Sequence, residues 1–267
     1  MSQKVSPEVW NDVWSKRSII DCDYVIAYDP IYHLLKRLLE PFYGRECRIL
    51  EVGCGSGIYT LSLLKDFYHS NHQGVLVDFS SAALTFARQN AAGNNVKTSF
   101  ILADGLKLPF PDGTFDIVWN EGVNEHFQGL ERQSIFNEMA RVCKPGGQVI
   151  AIAPNALNWM YRLWKSCRQK QGRWEYGAEY PFSICELNDR MRRAGLKTVK
   201  TGGKDTLASF IYLIWLTFGQ KRRTQENLAE VGRGIRALRR LVVATDRLLG
   251  PLGGLTGAEI GVKGIKQ

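Results

Sequence analysis

Residues 49–57 read Ile-Leu-Glu-Val-Gly-Cys-Gly-Ser-Gly, and this run constrains the fold more tightly than any other part of the chain. An apolar strand ends at Glu51 and Val52. Glycines follow at Gly53, Gly55 and Gly57, and a helical pattern begins with Ile58, Leu61 and Leu64. A strand that turns into a helix with no side chains at the turn lets a ligand lie against bare backbone. Glu51 falls at the strand's carboxyl end, where open α/β sheets bind their ligands. A dinucleotide fingerprint, Gly-x-Gly-x-x-Gly, would need its third glycine where this chain has Ile58. An acid inside the turn also repels a pyrophosphate and suits a cationic amino-acid moiety.

The spacing of later acids extends the pattern. Val-Leu-Val-Asp-Phe at 75–79 reads as a second buried strand, and Asp78 stands 21 residues beyond Gly57. One βαβ unit places an acid there, beside the ribose of a bound nucleoside. Two carboxylate oxygens match two vicinal hydroxyls, and Phe79 is placed to stack beside an adenine. The plain alternative for Asp78 is a loop or cap acid, although Ser80 is the better cap. A third strand, Thr98–Ala103, ends in Asp104, followed by Gly105-Leu106-Lys107-Leu108-Pro109-Phe110-Pro111-Asp112-Gly113-Thr114-Phe115-Asp116. Asp116 opens a fourth strand and reads as a structural acid. Beyond it come Asn120-Glu121-Gly122-Val123-Asn124-Glu125-His126, a helix over Leu130–Cys143, Lys144-Pro145-Gly146-Gly147 and a fifth strand, Gln148–Ala153.

The 49–57 run resembles motif I of the class I S-adenosylmethionine (SAM)-dependent methyltransferases. Residues 105–118 resemble the "LPF-pDgsFD" signature of small-molecule methyltransferases related to the ubiquinone and menaquinone enzymes. Glu125-His126 and the Lys-Pro-Gly-Gly-strand run resemble two further family signatures. The resemblance is strong over 45–155, weaker to 202 and returns at 258–266. It implies a Rossmann-like α/β fold with a seven-stranded sheet whose last strand, about Ala258–Ile265, runs antiparallel between the fifth and sixth. It also implies SAM as cofactor, held by Glu51, Gly53, Gly55, Gly57, Asp78, Phe79, Asp104, Gly105 and Asn120. Asp104 would accept from the adenine amino group, and Asn120 would touch the methionine end.

Residues 1–44 read as a helical, aromatic cap, with Trp10 and Trp14 one helical turn apart. The methyltransferase domain is expected over 45–267, with insertions at about 155–182 and 206–256. The first insertion interleaves six Trp and Tyr residues with Arg and Lys beside the ligand edge, as a substrate lid would. Ser183-Ile184-Cys185-Glu186 forms a capping box that starts a helix. In the second insertion Leu207–Phe218 is almost wholly apolar. As a helix it would reach about 18 Å, short of a bilayer core of about 30 Å. Lys221-Arg222-Arg223 follow. Then Leu228, Val231, Ile235, Leu238, Val242, Thr245 and Leu249 form one stripe of an amphipathic helix. Such a helix could lie on anionic lipid, cover its own domain or pair with a second subunit as a homodimer.

Charge is divided unevenly. Residues 1–159 carry a net charge of −3 and residues 160–267 one of +12, giving +9 in all. A basic half suits an anionic surface, or simply a solvated helix face. Six cysteines without a CxxC pair, and only four histidines, leave no metal-ligand cluster. Reduced thiols and a polar Met1–Trp14 segment lead us to expect a cytoplasmic protein.

Methyl transfer from a sulfonium asks mainly for orientation of the nucleophile. A hydroxyl acceptor must also lose a proton, and His126 is the candidate base; its alternative is an ordering role in the loop after the fourth strand. These readings converge on O- or C-methylation of a small-molecule or lipid-like acceptor. A nucleic-acid methyltransferase is disfavoured, because Asn120-Glu121-Gly122-Val123 stands where base amino-methylating enzymes carry Asn/Asp-Pro-Pro-Tyr/Phe and no Pro-Cys nucleophile is present. A catalytically idle SAM-binding scaffold is disfavoured by the complete cofactor motif.

Overall fold

The structure, a computed structural model, describes residues 6–15, 17–39, 46–67, 72–204 and 257–267. The apolar run and amphipathic stripe expected at 207–249 lie outside these residues.

Short runs of β-branched and aliphatic residues form β1 (Arg48–Val52), β2 (Gln73–Asp78), β3 (Ser99–Leu102), β4 (Phe115–Glu121), β5 (Cys143–Pro154), β6 (Leu196–Lys204) and β7 (Glu259–Lys266). Among the described residues these seven strands make one sheet in the order β3-β2-β1-β4-β5-β7-β6. β1 through β5 pair in parallel, and β7 runs antiparallel between β5 and β6. Strand order reverses between β1 and β4, so the carboxyl ends of these two strands flank the crevice where such sheets bind ligands.

Side chains alternate across the strands and feed two apolar layers. Ile49, Ile150 and Ile152 join one core; Leu50, Val149 and Ala151 join the other. The first layer is covered by α3 (Pro30–Leu39) and α4 (Ile58–Asp66), with α2 (Cys22–Tyr28) at its margin; the second by α6 (Gly129–Val142) and α8 (Ile184–Arg193). Tyr32, Leu34, Leu35 and Leu38 of α3 sit in the same core as β1, β4 and β5, so the amino-terminal helices share the sheet's interior. α5 (Ser81–Gly93) links β2 to β3, and α7 (Trp159–Lys170) stands beyond β5.

Caps follow the sequence closely. Ser80 Oγ accepts from Ala83 N at 3.1 Å and starts α5. Ser183 Oγ accepts from Glu186 N at 3.1 Å and starts α8. The capping box is only half made, because the Glu186 carboxylate turns to Arg132 Nη1 at 2.9 Å. Arg132 also donates to the carbonyls of Phe127 (2.8 Å) and Tyr180 (2.7 Å), which ties the loops after β4 and α7 together. Asp116 accepts from Arg48 N at 2.9 Å and from Lys144 Nζ at 3.0 Å, a structural role. β5 begins earlier than the sequence indicates. α6 stops at Val142, and Lys144–Gly147 then lie within the strand. A Cβ at Gly147 would stand 2.6 Å from Cys143 Sγ, so only glycine fits this close passage.

Candidate active site

The turn between β1 and α4 is held open by its glycines. Gly53, Gly55 and Gly57 have φ of +69°, +50° and +66°, a region that residues with a side chain adopt at a cost. Cβ atoms at Gly53 and Gly55 would meet Val123 Cγ2 and Trp14 Cζ2, each at 2.4 Å. A backbone bond from Cys54 N to Val77 O (2.9 Å) pins the turn to the end of β2, and one from Gly57 N to Cys54 O (2.7 Å) closes the turn on itself.

Glu51 lies beneath this turn. It is 3% exposed, and its Oε2 has no hydrogen-bond partner. Burial pushes its pKa up to about 8; hydrogen bonds from Thr60 offset only part of that cost. Thr60 is itself positioned by Trp119 Nε1 at 3.0 Å. A buried carboxylate oxygen without a partner is expensive, and a cationic group lying along the turn would satisfy it. Asp78, 5% exposed, faces the same cleft. Its Oδ2 accepts from Gly55 N and its Oδ1 from Ser80 N, both at 2.8 Å, so the acid organises the turn as well as facing the ligand edge. Burial raises the pKa of Asp78, and those backbone donors counter it.

Phe79, Asp104 and Gly105 line the same cleft. Asp104 is exposed, and its Oδ1 accepts from Leu106 N at 2.8 Å, which fixes the loop after β3. Asn120 does not join them. Its amide is fully buried and exchanges hydrogen bonds with Asn124 at 3.1 and 3.0 Å, with Met139 Sδ at 3.3 Å. Alternation along β4 turns this side chain away from the cleft, so its expected contact with the cofactor's methionine end is not what the geometry gives.

The cleft has a volume of about 1020 Å³, and its lining runs from the glycine turn to His126 and the aromatic residues of α7 and the loop after it. His126 lies in a short 3₁₀ turn, Asn124–His126. Its Nδ1 is 2.8 Å from the Ala178 carbonyl, so Nδ1 carries the hydrogen and Nε2 is the basic nitrogen of the neutral ring. Burial lowers its pKa, and the Ala178 bond raises it in part. Trp10 of α1 (Pro7–Trp14) meets His126 edge-on with centroids 5.0 Å apart. α1 therefore roofs two parts of the cleft: Trp14 stands over Gly55, and Trp10 meets His126. Asn11 ties the roof down by accepting from Ser80 Oγ at 2.7 Å. The i, i+4 spacing of Trp10 and Trp14 predicts a shared helix face, but not what that face covers.

Other lining residues are far apart in the chain. Glu179, Lys204 and Glu259 reach the cleft from the loop after α7, the end of β6 and the start of β7. Antiparallel pairing sets Glu259 opposite both Pro154 and Lys204. No local motif marks these residues; only the reversed direction of β7 brings Glu259 to the ligand edge. Among the described residues no group of His, Cys, Asp and Glu is arranged to hold a metal ion.

Comparison with known proteins agrees with this geometry. A methyltransferase-domain family model matches residues 49–147. Demethylmenaquinone methyltransferase of Thermus thermophilus is 31% identical over 51% of this chain and 68% of its own length. The probable chloroplastic tocopherol O-methyltransferase of rice (Oryza sativa subsp. japonica) is 32% identical over 43% of this chain and 29% of its own. A geranyl diphosphate methyltransferase solved in complex with SAM has the same fold, with a TM-score of 0.56 and 17% identity over 89% of this chain and 84% of that one. The chain belongs to the class I SAM-dependent methyltransferases, small-molecule type. It spans between 29% and 46% of the length of several curated relatives.

The residues present fit the family's cofactor. The orphaned Glu51 Oε2 calls for a cation, the glycine turn leaves bare backbone, and Asp78 offers its remaining acceptor sites. When bound, SAM supplies an electrophilic methyl group on a sulfonium.

Proposed function

We propose that this protein transfers a methyl group from SAM to a small-molecule acceptor seated in the aromatic chamber beyond the glycine turn. The buried Glu51 side chain at the carboxyl end of β1, whose Oε2 has no hydrogen-bond partner, carries the reading. It suits the cationic end of SAM and opposes the pyrophosphate of a dinucleotide. Glu51, the glycine turn, Asp78, Phe79, Asp104 and Gly105 would hold the cofactor. The acceptor would lie under the α1 roof, where Trp10, Tyr161 and Trp174 keep water away from the reacting atoms.

For oxygen as the acceptor atom, His126 is the candidate base. Its lowered pKa keeps the ring neutral at pH 7, and the Ala178 carbonyl selects the tautomer protonated at Nδ1, which leaves Nε2 as the basic nitrogen. A carbon acceptor activated by its own electron density would need His126 only for shape. A lipid-like acceptor and peripheral contact with anionic membrane through residues 207–249 rest on the sequence of that segment; a homodimer is its alternative use. A reducing, cytoplasmic setting suits the six free thiols.

Calorimetry with SAM, S-adenosylhomocysteine (SAH) and NAD tests the cofactor, and SAH release across an acceptor panel tests the reaction. Tighter binding of NAD than of SAH would overturn the reading.

A further inference from the structure

The chain carries a net charge of +9, yet the described lining of its cleft is acidic. Among the described residues the lining holds nine carboxylates and two cations, Arg17 and Lys204. Three of the acids, Glu51, Asp78 and Asp104, belong to the cofactor half. The other six are Asp29, Glu121, Glu125, Glu131, Glu179 and Glu259. Several have local uses. Asp29 accepts from Ile31 N and Tyr32 N at the start of α3. Glu179 Oε1 accepts from Tyr161 Oη at 2.6 Å and Lys165 Nζ at 3.0 Å. Glu259 faces Lys204 at 3.5 Å.

Glu125 has no such use. It is 2% exposed, and its Oε2 lies within the cleft wall without a hydrogen-bond partner. Its Oε1 stands 3.7 Å from where a Cβ on Gly122 would be, which places the carboxylate over the carboxyl end of β4. Glu121, at that strand end, repels it. Glu179 and Glu259 add to the negative potential, and Arg132 offsets only part of it.

Rings wall the same chamber. From His126 a belt runs through Trp10, Tyr176, Trp174, Trp164 and Tyr161, with successive centroids between 5.0 and 6.3 Å apart. It ends on Glu179, through the Tyr161 hydroxyl. The belt already carries one ammonium: Lys165 Nζ lies 5.1 Å from the Trp174 centroid. A buried carboxylate with one oxygen lacking a hydrogen-bond partner, in a cleft walled by aromatic faces, selects a cation over an anion.

Resting on the methyltransferase reading, we infer that the methyl acceptor is a small organic amine, recognised as its ammonium by the Glu125 carboxylate along this aromatic belt. For transfer the ammonium gives one proton to that carboxylate, and the freed nitrogen lone pair forms the N–CH₃ bond as the S–CH₃ bond breaks and SAH leaves. Glu125 is then a specificity-determining residue. Without a cation, burial and the neighbouring acids hold its carboxyl well above the usual range. An arriving ammonium favours the ionised form, so binding releases a proton, and the release fades at high pH, where Glu125 is already ionised.

The test uses the full chain saturated with SAH and three probes of one skeleton: phenethylammonium, 2-phenylethanol and phenylacetate. Calorimetry should rank phenethylammonium about tenfold or more above the other two, the factor that one charge-assisted hydrogen bond supplies. Titration in buffers of different ionisation enthalpy at pH 7 should show proton release with the ammonium probe alone. Glu125→Gln, which keeps the shape, should bring the three probes to within about twofold and abolish the proton release, with SAH affinity kept. Equal or undetectable binding of the three probes to the native chain overturns the inference, as does an ammonium preference that survives Glu125→Gln. SAH is titrated first. Failure of SAH to bind overturns the methyltransferase reading itself, whereas SAH binding without ammonium preference overturns only the amine.

Discussion

Asp78→Ala separates an acid that only meets a ligand from one that builds the site. The carboxylate accepts from Gly55 N and Ser80 N, each at 2.8 Å. Its removal leaves two backbone donors, at the glycine turn and at the start of α5, without their acceptor. Leaving a buried donor unsatisfied costs about 1–3 kcal/mol. Two effects pull the total down. Water entering the cleft can reach both donors, and the cost of burying the Asp78 charge disappears. We therefore expect a net loss of about 2–3 kcal/mol, and a melting temperature lower by roughly 4–12 °C for a chain of this size. SAH affinity should fall about tenfold or more, because the donors no longer hold the turn and the ribose loses its acceptor. Asp78→Asn keeps one acceptor oxygen and should retain about half of the lost stability. Differential scanning calorimetry and SAH titration read both quantities. A melting temperature within about 1 °C of the native chain would show that the two hydrogen bonds carry no net stability.

Glu51→Gln should reverse sign with conditions. In the folded chain Glu51 titrates at about 8 against an ordinary 4.5. Its contribution to stability is thus full below about 4.5 and is lost as pH rises through 8, at up to about 1.4 kcal/mol per pH unit. The cofactor-free variant should gain on the native chain steadily from pH 5 to pH 8 in thermal melts while binding SAM more weakly; parallel melting curves across that range would refute the assignment. Gly55→Ala should displace Trp14, because its Cβ would lie 2.4 Å from the indole and φ is +50°; the left-handed backbone alone costs about 1–2 kcal/mol. Unchanged tryptophan fluorescence and SAH affinity would remove Trp14 from the cofactor roof. With a hydroxyl acceptor, His126→Asn should cut turnover about 10²-fold or more at unchanged SAM affinity, and a near-native rate would leave His126 only the task of shaping the chamber. The basic segment 207–249 should carry the chain onto anionic vesicles at low salt, at about 1 kcal/mol per basic residue near the surface, with loss at high salt; a chain left in the supernatant would assign that stripe to protein packing.

The half of the cleft proposed for the cofactor was legible in one dimension because its geometry is local. A glycine turn, the acid before it and an acid one βαβ unit later are set by chain geometry, so Glu51, Gly53, Gly55, Gly57 and Asp78 could be placed by counting. Strand alternation and caps are local too, which is why Ser80 and Ser183 stand where their sequence context puts them. Asn120 shows where counting stops: a one-residue step along β4 decides which face a side chain takes, and this one faces Met139. The rest of the cleft was legible only in part: the aromatic insertion after β5, the Trp10–Trp14 face and His126 could be named from the chain, but not the neighbours they meet. Glu125, Glu179 and Glu259 come together only because β7 returns antiparallel beside β5, and Trp10 meets His126 only because α1 folds back across the sheet edge. Long-range pairing leaves no mark at fixed spacing. The sequence by itself therefore determined the glycine turn and the acids proposed to hold the methyl donor, and the tertiary structure decided the charge and shape of the rest of the cleft.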